Sequence, residues 1–243
     1  ERFIGGVHID MIAQRLDDMA FSEGQRLMLA MPPGSCKSTI ASILYPAWLL
    51  GINPATAILQ IAHTDELATE WGRQVRNLVA TPEYQLVFPE TLISSDSRSS
   101  GRWHTTRKGR YLAAGAGSQI AGFRGQTIIM DDVISEKTAE SKLEKQKICA
   151  WYAPGLRTRL LPGGNMLSIG TRWCLDDLTG HLLKMERDKP GADKWHKIFI
   201  PALLDAKAAE ILGKREGQSY WEEMWTTAEV EAARDNTDPA KFN

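Results

Sequence analysis

The sequence predicts an α/β fold with a mainly parallel central sheet flanked by helices, and three observations point there. Short apolar runs alternate with longer stretches of helical spacing, the pattern of strands joined by crossover helices. Several of those runs end in polar or glycine-rich residues, where parallel sheets gather their ligands. The first run opens into M-P-P-G-S-C-K-S-T, Met31 to Thr39. A loop of that composition can wrap phosphates in backbone N–H groups at a helix N-terminus.

Taken in order, a helix is expected from about Ile9 to Met19, a turn over Phe21 to Gln25 and a strand from Arg26 to Met31. The helix after the phosphate loop should run through Ser42 and Leu44 toward Leu50, stopped by Gly51 and Pro54. Thr56 to Ala62 reads as an apolar strand, and His63-Thr64-Asp65-Glu66 as the cap of a helix reaching about Val79. From Pro82 to Gly125, Gly, Ser and Thr punctuate short patches such as Tyr111 to Ala114, as in small strands and excursions. Thr127 to Met130 is a strand ending in Asp131-Asp132, Met166 to Ile169 one ending in Gly170-Thr171-Arg172, and Lys197 to Pro201 the last. A polar, helix-prone tail from about Asp205 carries Trp221, Trp225 and Phe242.

At 243 residues, 43% of them hydrophobic, the chain can bury the core of one large domain with an appendage. We place a P-loop domain over 1–205 and a helical linker or subdomain over 206–243. Cys36, Cys149 and Cys174 lie far apart without C-x-x-C spacing, which argues against a zinc site or a disulfide framework and for a reducing interior. No run approaches the ~18 apolar residues of a membrane span. A net charge of −1 argues against a protein that coats nucleic acid by bulk charge, but permits a local strip. Arg98, Arg102, Arg107, Lys108 and Arg110 around Trp103 are that candidate; a solvated loop or hairpin is the alternative.

Read as G-x-x-x-x-G-K-[ST], the phosphate loop has Met31 at the first glycine and Cys36 at the second. Pro33, Gly34, Ser35, Cys36, Lys37, Ser38 and Thr39 are the candidate ATP-binding residues. Lys37 would reach the β/γ-phosphates and Ser38 would ligate Mg²⁺. The alternative is a Pro-Gly turn before a helix N-capped by Ser35. If position 36 needs positive φ, a non-glycine residue there costs about 1–2 kcal/mol. ATP hydrolysis also needs carboxylates on a neighbouring strand, and T-I-I-M-D-D supplies them: Asp131 for the Mg²⁺ shell and Asp132 to activate water. Glu136 or Glu140 could take the second role, and a turn or cap pair is the alternative for both aspartates.

The phrases M-P-P-G-S-C-K-S-T, A-H-T-D-E-L-A-T-E-W-G-R-Q-V-R, A-G-F-R-G-Q-T-I-I-M-D-D and S-I-G-T-R-W-C-L-D-D-L-T-G-H-L-L occur in this order. Together they resemble the large terminase subunits of tailed bacteriophages, ATP-driven motors that package double-stranded DNA into capsids. The resemblance spans Val7 to Asn243, and W-E-E-M-W-T-T-A-E-V looks like the segment that follows the motor fold. It implies a P-loop NTPase of the additional-strand (ASCE) type, with Asp131-Asp132 as the second acidic motif and Thr171 coupling hydrolysis to movement. Arg124 then looks like the arginine that completes a neighbour's site, a surface arginine in a turn being the alternative. Arg172 has the alternative of an ion pair to Asp176 or Asp177.

The resemblance further implies ATP and Mg²⁺ as cofactors, and double-stranded DNA, portal protein and small terminase subunit as partners. It implies a homo-oligomeric ring on the portal, with a monomer as the alternative for the isolated domain, and the cytoplasm of an infected bacterial host. Such proteins carry a ribonuclease-H-like nuclease domain with several acidic residues on its own sheet. Nothing after Asp205 is long enough for one, so the expectation is an isolated motor domain without DNA cleavage. Two rival functions stand beside the motor: a helicase-like ATPase, and a non-hydrolysing ATP-binding assembly module.

Overall fold

The computed structural model describes residues 3–97 and 99–237; Arg98, Phe242 and the rest of the closing D-P-A-K-F-N fall outside them. Seven strands form one sheet: β1 (Arg26–Ala30), β2 (Ala57–Ala62), β3 (Arg102–His104), β4 (Arg110–Gly115), β5 (Gly125–Asp131), β6 (Leu160–Gly170) and β7 (His196–Phe199). Their order is β3-β4-β2-β5-β6-β1-β7. Every pairing is parallel except the β3–β4 edge pair. Strand β6 therefore sits between the strand that feeds the phosphate loop and the strand that ends in the acids, the additional strand of the expected P-loop class.

The helices are α1 (Val7–Ala20), α2 (Tyr45–Ile52), α3 (Asp65–Val79), α4 (Pro82–Val87), α5 (Glu136–Ala139), α6 (Lys142–Trp151), α7 (Leu178–Asp188), α8 (Ala206–Leu212) and α9 (Thr227–Asp235). Each sheet face is covered, so β2 is buried at every position, as parallel strands require. One face, with Leu27, Leu29, Ile58 and Ile129, meets Ile12, Leu16 and Met19 of α1, Leu50 of α2 and Val75 and Val79 of α3. The spacing of Ile12, Leu16 and Met19 puts them on one helical stripe. The other face, with Met28, Leu59, Ile61 and Met130, meets Tyr152, Leu156, Leu178 and Leu182. The crossover from β4 to β5, residues 116–124, contains no helix and is pinned to this second core by Ile120 and Phe123.

Three expectations need correction. The helix after the phosphate loop opens as a π-helix, Thr39–Leu44. Pro46 is the reason: it has no N–H for the Ser42 carbonyl, and the Gln60 side chain donates there instead, at 3.0 Å. Strand β6 begins at Leu160 rather than Met166, because Pro162, Gly163 and Gly164 hide its start in the sequence. Trp103 does not interleave with the basic strip: it is fully buried and stacked on Tyr111, ring centroids 4.9 Å apart.

After β7 the chain returns to the first core. Ala208, Leu212, Tyr220 and Trp221 are buried there, and the Trp221 indole N–H donates to the Gly5 carbonyl at 2.9 Å. Among the described residues no helix is long and apolar enough to cross a membrane.

Candidate nucleotide site

The phosphate loop leaves β1 at the carboxyl edge of the sheet, anchored by the Met31 N–H to the Gly170 carbonyl at 3.1 Å. Gly34 has φ +77° and Cys36 φ +60°, so position 36 does require the left-handed region that favours glycine. Ser35 is fully buried and its hydroxyl has no partner among the described residues, so it does not cap the helix that follows. Lys37 is buried, and its ammonium donates to Thr171 Oγ1 at 3.1 Å. It also approaches the Pro32 carbonyl at 3.4 Å and Asp132 Oδ2 at 3.9 Å. Pro33, Gly34 and Thr39 are exposed, Cys36 and Ser38 half-buried.

Asp131 ends β5 facing the helix after the loop. Its Oδ1 accepts from Ser38 at 3.0 Å and its Oδ2 from Ser42 at 2.7 Å. Burial, then the neighbouring Asp132, pushes its carboxyl up to about 6, against the Ser42 and Ser38 hydrogen bonds. Support reaches deeper: Gln60 donates to the Ser42 carbonyl and accepts from the Tyr111 hydroxyl at 2.6 Å. Asp132 leaves the strand at φ +43° and turns its Oδ1 back to accept from the Thr171 N–H at 2.7 Å. Lys37, Ser38, Asp131, Asp132 and Thr171 thus converge across the ends of β1, β6 and β5.

The structure separates the other candidates from this group. Arg124 is exposed and precedes β5, at the amino end of the sheet. Seven residue steps of extended chain put it about 23 Å from the Asp131 of its own chain. Arg172 is paired with Asp177 at 2.7 Å and lies over Phe199, while Asp176 pairs with Lys145 at 2.6 Å. Glu136 and Glu140 are exposed beyond the buried Val133 and Ile134.

Sequence reasoning missed two supports of the site. Ser42 could have been found from its position four residues after Ser38, on the same helix face. The other lies under the loop: His8 is fully buried, edge-on to Tyr220 and Trp221 at 5.1 and 4.8 Å. Burial lowers the pKa of its imidazole, partly opposed by the Ser35 backbone.

No protein-family model and no curated protein sequence matches the chain. Solved structures do. The large terminase of bacteriophage HK97 superposes with a TM-score of 0.52 at 12% identity, over 85% of this chain and 41% of that one. The large terminase ATPase domain of Thermus phage P74-26 gives 0.53 at 14% identity, over 94% of this chain and 92% of that domain. An arginine-to-alanine mutant of the latter gives the same score and identity over 94% and 93%. The chain thus has the fold of large terminase ATPase domains, that of an additional-strand P-loop NTPase, and spans less than half the length of the HK97 protein.

Proposed function

We propose that this chain is the ATPase motor domain of a phage large terminase, hydrolysing ATP to drive double-stranded DNA into a procapsid. The convergence of Lys37, Ser38, Asp131, Asp132 and Thr171 on three adjacent strand ends carries this reading. The fold shared with terminase ATPase domains supports it. The partners that follow are double-stranded DNA, the portal protein and the small terminase subunit, in the host cytoplasm.

Ser38 and Asp131 supply two hard oxygen donors that already meet at 3.0 Å. A Mg²⁺ ion takes few protein oxygens and completes its octahedron with phosphates and water, so the donor set fits. When bound, Mg²⁺ would neutralise charge on the β- and γ-phosphates. Lys37 would leave Thr171 and Asp132 for those phosphates. Asp132, released from Lys37, would orient water and take its proton. Because Asp132 stays bonded to the Thr171 N–H, a shift of the acid is passed to the end of β6. Arg124 cannot serve its own site from the far end of β5, so it would act in a neighbour's.

Steady-state ATP hydrolysis against protein concentration, with and without double-stranded DNA, tests this. Lys37→Ala should abolish turnover, and Arg124→Ala should cut it by about 10³-fold or more while leaving ATP binding intact. Turnover per molecule should rise with concentration. ATP binding without turnover at any concentration would instead favour the assembly module, which Cys36 at positive φ also favours, or a motor that is silent without its portal.

A further inference from the structure

A groove of about 490 Å³ runs between α1 and the helix after the phosphate loop. Its wall on α1 carries Asp10, Ala13 and Asp17; its floor and far wall carry Leu44, Tyr45 and Trp48. Leu44 is 48% exposed, and Trp48 is braced by Tyr45 and Phe21 at ring distances of 6.3 and 5.9 Å. Asp10 and Asp17 are exposed, and neither carboxylate pairs with a lysine or arginine among the described residues. No basic residue lines the groove.

The opposite charge sits on the β3 edge of the sheet. Residues 102–110, the β3–β4 hairpin, hold Arg102, Arg107, Lys108 and Arg110 and no acid. Arg107 pairs with Glu90, and Arg110 lies over Phe123. Arg102 and Lys108 are exposed with no side-chain partner among the described residues. Strand β3 is one end of the sheet order and β7 the other, and α1 runs beside β1 and β7.

We propose that the β3–β4 hairpin of a second copy of this chain docks in the α1 groove, setting Arg102 and Lys108 against Asp10 and Asp17. The spacings are similar: seven residues of helix separate the acids by about 10 Å, and Arg102 pairs with Leu112, four residues along the hairpin from Lys108 in its turn, a span of about 13 Å. Basic side chains lay their stems and charge on a tryptophan face such as that of Trp48. The acidic groove repels phosphates, so nucleic acid satisfies the hairpin alone, whereas a second copy satisfies both surfaces. Because the two surfaces are different parts of the chain, the contact is head-to-tail, and such contacts close into rings or extend as filaments.

Charge exchange in the full chain tests this. Variant A is Asp10→Lys with Asp17→Lys; variant B is Arg102→Glu with Lys108→Glu, all at exposed positions. Sedimentation of the wild type in about 50 mM salt, where screening is weak, should show concentration-dependent association. A alone and B alone should remain monomers with wild-type melting temperatures. An equal mixture of A and B should associate as the wild type does, because every groove again faces a hairpin of opposite charge. A wild type that stays monomeric, a variant that associates alone, or a folded mixture that fails to associate would overturn the proposal. Loss of duplex DNA binding in B, with unchanged association, would overturn it and assign the hairpin to nucleic acid.

Discussion

Cys36 holds a backbone conformation, φ +60°, that disfavours any side chain with a Cβ. Replacing it by glycine removes that strain but adds unfolded-state entropy, so Cys36→Gly should stabilise by about 0.5–1 kcal/mol and raise Tm by a few degrees. Calorimetry checks the sign. The Cys36 thiol stands in the loop expected to wrap the phosphates, so alkylation should block turnover and ATP should protect. Rapid modification with unchanged turnover would refute that role. Asp131 makes the opposite trade. Its carboxyl is raised from 3.8 to about 6, so the fold favours its protonated form. Below 3.8 its burial as an acid costs nothing extra; the penalty grows to about pH 6 and then stays constant, at about 3 kcal/mol or less. With Mg²⁺ chelated, Asp131→Asn should therefore melt above the wild type at pH 8, converge with it near pH 4, and lack turnover.

The π-helix and Gln60 form a unit at the scale of elements. Gln60→Leu strands the Ser42 carbonyl and the Tyr111 hydroxyl in the core, and should cost about 2–3 kcal/mol. Pro46→Ala returns an N–H that can reach the same carbonyl, so it should recover part of that loss; a double-mutant cycle in urea measures the coupling. This unit also shows where the sequence stops being legible. Strand, phosphate loop and strand-end acids are local patterns of period and punctuation, so β1, β2, β5 and the places of Lys37 and Asp131 at neighbouring strand ends could be read from them. The Gln60 bridge joins residues 18 positions apart, and His8 meets Tyr220 across nearly the whole chain. Contacts of that kind depend on strand order, which no window of sequence contains. Trp103 misleads for the same reason: its basic neighbours suggest a surface, but alternation on an edge strand turns the ring to the core.

Asp193 fastens the amino end of the sheet for the molecule as a whole. It takes Arg26 at 3.0 Å and Arg157 at 2.6 Å, tying β1, the turn before β6 and the loop before β7. Burial opposes its ionisation, but Arg157 and Arg26 outweigh burial and its pKa is lowered. A lowered acid contributes stability above its ordinary pKa and loses it as pH falls through the folded value. Asp193→Asn should thus cost about 2–3 kcal/mol near neutrality, with the gap closing in acid; melting from pH 7 to 2 follows it. Strand β5 has a second bearing on the whole. Its carboxyl end holds Asp131, and the residue before its amino end is Arg124. The strand is held in mid-sheet between β2 and β6, with a register irregularity at Gly125–Thr127 near its amino end. In a ring where Arg124 serves the next site, as proposed above, β5 would be a connecting rod: a displacement at one catalytic centre would reach the following one through a single strand held on both sides.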